Sequence, residues 1–150
     1  MVKRFFILLI VGLGLFTTAH AQLREIPAEV MSAFESQYPT ATNVEFKDNF
    51  VKVYVHFNLD DAKMIASYNN KGLWKETERE WSFDQLSEDI KSGFERSKYA
   101  DENWIQKETA LVYLADGTTQ YRLKVEKGEI QKKYLYFNKR GRMIRESFTL

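Results

Sequence analysis

Residues 68–77 read YNNKGLWKET and residues 137–146 read FNKRGRMIRE. Each sets an aromatic residue, Asn, two further residues and Gly ahead of a run that mixes apolar and charged side chains. Asn opens a tight turn by hydrogen-bonding nearby backbone, and Gly72 or Gly141 accepts the positive φ that releases the chain into another strand. Each stretch is therefore expected to be a hairpin, and the likeness of the two directs attention to what precedes them.

Before the first, Val51, Val53, Val55, Phe57 and Leu59 alternate with Lys52, Tyr54, His56 and Asn58. A period of two over this length marks a half-buried strand. Asp48-Asn49, Asp60-Asp61 and Asn69 to Gly72 supply turns, so strands are expected around Val44 to Phe46, Val51 to Leu59, Lys63 to Tyr68 and Leu73 to about Glu80. Before the second, Asp116-Gly117 and Lys127-Gly128 precede Asn138 to Gly141. They predict strands near Lys107 to Leu114, Thr119 to Val125, Gln131 to Phe137 and Met143 to Phe148, with Asp-Gly a good hairpin signal.

Each set of turns follows a helical stripe. Ile26, Val30 and Phe34 recur every four residues, and Leu86, Ile90 and Phe94 repeat that spacing. Pro27 suits a first helical turn and Ser87 a cap, while Pro39 pushes Tyr38 towards extended geometry and closes the first helix. The expected fold class is α+β, a tandem duplication of a helix followed by a four-stranded antiparallel meander, with the helices packed on one sheet face. The two repeats, about 23–81 and 82–150, would make up a single domain. Trp74 fits either face of its strand.

The stretch FESQYPTATNVEF, residues 34–46, and the later YVHFNLDDAKMIASYNNKGLWKETE, residues 54–78, resemble the PepSY-like, β-lactamase-inhibitor-protein-like (BLIP-like) exported domains. The shared features are a helix end, Tyr-Pro, a small-residue turn, a strand ending in an aromatic, and an aromatic-Asn-x-x-Gly turn. The likeness extends over nearly all of residues 23–150, although Tyr99-Ala100-Asp101 lacks the proline of the first copy. It implies duplicated helix-plus-meander units and a non-enzymatic module that binds or inhibits protein. The family has no functional residue to carry over.

At the amino end, Lys3 and Arg4 precede a run of 12 apolar residues and glycines, Phe5 to Phe16, followed by Ala19-His20-Ala21. This is the layout of a secretory signal cleaved after Ala21, and the run is short for a membrane span of about 20 residues. Residues 1–21 are thus expected to be a signal peptide and 22–150 the mature domain, periplasmic or secreted and free of the membrane after cleavage. Without Lys3 and Arg4 the basic residues fall from 22 to 20 against 21 acidic ones, so nucleic acid is not an expected partner. There is no cysteine, hence no disulfide framework and no thiol for a lipid.

The chemistry-bearing residues are sparse. His56 stands alone in the mature chain, so neither a metal constellation nor a nucleophile-histidine pair is expected. No catalytic residue, cofactor site or metal site is assigned, and an enzyme is not expected. Asp60-Asp61 reads as a hairpin turn, and Lys139, Arg140, Arg142 and Arg145 read as solvated turn surface. The helix-free face of the sheet is the remaining candidate. With Val53, Val55 and Phe57 inward, Tyr54 and His56 point outward; with Leu123, Leu135 and Phe137 inward, Arg122, Tyr134 and Tyr136 do the same. Tyrosine and arginine are what protein-binding surfaces favour. The expected function is an exported non-catalytic module that binds or inhibits an envelope or extracellular protein through Tyr54, His56, Arg122, Tyr134 and Tyr136. The alternative is a small-ligand or envelope-sensing module with a pocket between helix and sheet.

Overall fold

A computed structural model describes residues 25–101 and 103–148. The segment read as a signal peptide lies outside the described residues. Helix α1 (Ala28–Gln37) follows Pro27 and stops at Tyr38, whose N–H still reaches the Phe34 carbonyl. Then come β1 (Thr42–Asp48), β2 (Lys52–Leu59), β3 (Ala62–Asn69) and β4 (Trp74–Trp81). A short 3₁₀ turn over Phe83–Gln85 leads into α2 (Glu88–Glu95), and β5 (Ile105–Leu114), β6 (Thr119–Lys127), β7 (Gln131–Phe137) and β8 (Met143–Phe148) complete the chain.

The eight strands form one antiparallel sheet in the order β1 to β8. This overturns the expected fold class, the tandem repeat of a helix followed by a four-stranded meander. Among the described residues the architecture is a single eight-stranded sheet with two short helices on it. What joins it is the β4–β5 ladder, running from Glu76 opposite Leu114 to Trp81 opposite Thr109. Two separate meanders would have left β4 and β5 as edges with unpaired backbone donors and acceptors; pairing them satisfies both.

Both helices cover the same side. Val30 and Phe34 of α1 bury themselves among Val53, Val55, Phe57, Met64, Ala66 and Tyr68. Ile90 and Phe94 of α2 pack with Leu86 and Tyr99 onto Leu123, Val125, Leu135 and Phe137. Ile26 precedes α1 and packs at the margin of the first cluster, while Val51 lies in the turn before β2 and is 74% exposed. Trp74 belongs to the helix side: it pairs with Tyr68, and its Nε1 donates to Thr77 Oγ1 at 2.9 Å.

The two glycines of the opening stretches do more than turn the chain. Gly72 and Gly141 have φ of +74° and +71°. A Cβ on Gly72 would stand 2.5 Å from the Glu29 carbonyl oxygen in α1, and one on Gly141 would collide with the Asp89 carbonyl oxygen in α2. Each turn is seated against the first turn of a helix, where only glycine supplies both the φ and the clearance. Among the described residues no helix is long and apolar enough to cross a membrane.

Candidate functional site

The register determines which side chains share the uncovered face. Tyr54 lies between Lys47 and Ser67, and His56 between Glu45 and Ile65. Across β5 to β8, Ala110, Arg122, Tyr136 and Arg145 stand in one row, with Lys124, Tyr134 and Ser147 in the next. All five residues singled out from the sequence therefore lie on the helix-free face. Arg122, Tyr134 and Tyr136 are brought together, whereas Tyr54 and His56 lie on β2, four strands from β6.

Charge is banded across this face. The open-face positions of β4 and β5 carry Glu76, Glu78, Glu80 and Glu108, while β6 to β8 place Arg122, Lys124, Lys132 and Arg145 beside a single acid, Glu126. The bands engage where they meet. Arg122 Nη1 lies 2.9 Å from Glu78 Oε2, with both side chains less than a fifth exposed. Lys124 Nζ lies 2.6 Å from Glu108 Oε1, and the carboxylate holds the ammonium pKa above its ordinary value chiefly through that hydrogen bond.

Each arginine also lies on a ring. The Arg122 guanidinium carbon is 4.2 Å from the Tyr134 centroid, and that of Arg145 is 3.8 Å from the Tyr136 centroid. Burial raises the Tyr136 phenol pKa, with smaller opposing pulls from Arg145 and Arg122. Burial also pushes the Glu78 carboxyl up; Arg122 opposes this, and Glu76 and Glu108 reinforce it. The Arg122–Glu78 pair thus holds a carboxylate in a place that disfavours it. Such contacts restrict the side chains that make them, and groups already restricted have less entropy to lose in any binding event.

Adjoining this cluster lies a hollow of about 590 Å³, bordered by residues from Asn43 on β1 to Arg122 on β6, with Glu78 and Glu108 among them. On a flat sheet six strands would span about 24 Å at the usual ~4.8 Å spacing. One hollow touching both strands is what a face that curls inward produces. Two register shifts border it, between Thr42 and Glu45 on β1 and between Gln106 and Glu108 on β5. Bulges bend a strand and re-aim side chains in this way. Ile65 supplies apolar wall from the open face, Trp81 and Phe83, which also pack against the α2 cluster, border the hollow where β4 ends, and His56, Lys63, Glu80 and Arg122 supply polar groups. Burial lowers the His56 pKa, Lys47 lowers it further, and Glu45 opposes. A smaller hollow of about 360 Å³ lies between the end of α1 and β1, lined by Phe34, Tyr38 and Phe46 among others.

Sequence reasoning missed Glu78 and Arg145. Glu78 sits in a run of alternating acids with nothing local to distinguish it. Arg145 was grouped with turn residues Arg140 and Arg142, because the shift in register at Tyr136 and Phe137 that places it on the open face is invisible in one strand. Among the described residues no group of three or more His, Cys, Asp or Glu could hold a metal ion.

No family model matches the chain, and no curated protein does. Solved structures do. A DUF2874 family protein from Bacteroides ovatus ATCC 8483 is similar over 83% of this chain and 89% of its own, at 21% identity and a TM-score of 0.70. A candidate periplasmic protein from Bacteroides eggerthii DSM 20697 matches 83% and 90% of the two chains at 17% identity and 0.70. A BLIP-like protein (BF1215) from Bacteroides fragilis NCTC 9343 matches 84% and 89% at 22% identity and 0.68. At these identities the likeness concerns the fold, and it agrees with the single curled sheet and its two one-sided helices: the chain has the BLIP-like fold.

Proposed function

We propose that the protein is an exported, non-catalytic module that binds and restrains an envelope or extracellular protein through its helix-free face. Export follows the expected cleavage after Ala21, and the candidate periplasmic neighbour agrees with it. The observation that carries the reading is the Arg122 cluster: an arginine held by Glu78 and laid on Tyr134, beside Tyr136 and Arg145. Tyr and Arg dominate the energetics of protein interfaces, and rigid ones bind at the least entropic cost. The hollow adds a recess into which a partner side chain fits, and Tyr54 and His56 extend the contact across β2.

The test is affinity capture from an envelope extract of the producing cells. Wild type is compared with a variant carrying Tyr134→Ala, Tyr136→Ala and Arg122→Glu, each first shown to be folded by circular dichroism. Wild type is expected to retain at least one protein that the variant loses. Equal recovery of every protein by both would remove the assigned surface.

A second reading rests on the size of the larger hollow, which lies within the ~300–1,000 Å³ common to small-ligand sites. It differs from the expected pocket between helix and sheet in drawing its polar lining from the helix-free face, His56, Glu78, Glu80 and Arg122. Small molecules extracted from the purified protein and lost from an Ile65→Trp variant, which fills the hollow, would favour that reading.

A further inference from the structure

Tyr136 stands between two arginines, Arg122 on β6 and Arg145 on β8, each directly opposite it in the ladder. The two are treated differently. Arg122 has its carboxylate, Glu78, at 2.9 Å. The Arg145 guanidinium carbon lies over the Tyr136 ring, 3.8 Å from its centroid, and among the described residues no carboxylate forms an ion pair with it. Its acidic neighbour in sequence, Glu146, projects from the opposite face, where Lys133, Lys98 and Tyr99 engage it. Glu78 lies within electrostatic range of Arg145 but is bonded to Arg122.

A guanidinium stacked on an aromatic ring leaves the N–H edges of its own plane clear of the ring, and its rotation is already restricted; that is the geometry that receives a carboxylate by two parallel hydrogen bonds. We propose that Arg145, stacked on Tyr136, is the docking point for an Asp or Glu carboxylate of the protein partner. This deepens the proposed function and rests on it. The partner then presents an acidic segment to the basic band of β6 to β8, and its carboxylate stands to Arg145 as Glu78 stands to Arg122. The charge complementarity is local: this band holds four basic groups to one acidic group.

The probe is an oligoglutamate peptide, acetylated and amidated so that only side-chain carboxylates are offered, titrated at low ionic strength into the full mature protein and followed by NMR at the Arg145 Nε–H and the Tyr136 ring. The expected result is saturable shifts at both groups, suppressed by added salt. Arg145→Gln should weaken binding about tenfold or more, as loss of a charge-assisted pair does, while Arg142→Gln, an equal change of net charge in the neighbouring turn, should leave it within about twofold. Absence of the Arg145 shift, equal weakening by both variants, or equally strong shifts with inorganic phosphate would each overturn the proposal. The probe is read without any partner, so failure here removes the carboxylate site alone, and the capture experiment judges the binding face.

Discussion

Replacing Arg122 by Met asks whether charge holds the binding face in place. The Arg122–Glu78 contact is 2.9 Å long between side chains 14% and 17% exposed. Removing one partner of a fully buried pair costs about 3–5 kcal/mol, and an exposed pair contributes below ~1. A pair at this depth falls between, at about 2 kcal/mol near neutral pH, with up to ~1 more from the lost stacking on Tyr134. The loss should depend on pH. Burial raises the Glu78 pKa and Arg122 restrains the rise, so without Arg122 it climbs further. A carboxyl whose folded pKa exceeds its unfolded value stabilises the fold while protonated, fully below the unfolded value and no longer once pH has risen through the folded one. Arg122→Met should therefore cost more at pH 7 than at pH 4. Urea unfolding of wild type, Arg122→Met, Glu78→Gln and the double variant at the two pH values provides the assay. At pH 7 a coupling of about 1 kcal/mol or more is expected, shrinking at pH 4. Additive losses that are the same at both pH values would mean that the Arg122–Glu78 pair does not hold the face in place.

Two further outcomes follow from the same geometry. Gly117 has a φ of +82° with open space where a Cβ would go, so Gly117→Ala should cost only the ~1–2 kcal/mol of a left-handed residue. Gly141→Ala adds a backbone collision with Asp89 in α2 and should cost about 4 kcal/mol or more; similar melting temperatures for the two variants would show that the turn is not seated on the helix. His56 should titrate below the ordinary ~6.5 by NMR, and Lys47→Gln should move it upward. Because the neutral imidazole is the favoured form, this residue's contribution to stability is present above the unfolded value and lost as pH falls through the lower, folded one; a His56 midpoint above the ordinary value would contradict the placement.

How much could be read in the chain differs residue by residue. The strict alternation from Lys52 to Leu59 assigns sides within β2, because neighbouring side chains of a strand point oppositely whatever lies beside it. The same local rule puts Tyr134 and Tyr136 on one side and Leu135 and Phe137 on the other. Asn69 and Asn138 accept backbone N–H bonds within their own turns, Asn69 from Lys71 and Leu73, Asn138 from Arg140 and Arg142. A tight turn is therefore written into a few adjacent residues.

What the chain did not disclose are the properties that join distant residues. Alternation in β4 and β5 is the same whether those strands end two sheets or meet in one, and the β4–β5 ladder exists only once the chain between them has folded back through α2. The hollow needs bulges on β1 and β5 and the curl of the sheet from β1 to β6. Arg122 finds Glu78 on another strand two places across the sheet, and Arg145 reaches Tyr136 only through the register shift in the β7–β8 ladder. Local sequence is enough to say where strands turn and which side chains alternate, since backbone torsion and side-chain direction depend on a few neighbouring residues. Tertiary structure alone decided that the strands make one curled sheet and that its open face carries two arginines on tyrosines, one of them paired, because strand adjacency and ion-pair partners are set by long-range packing.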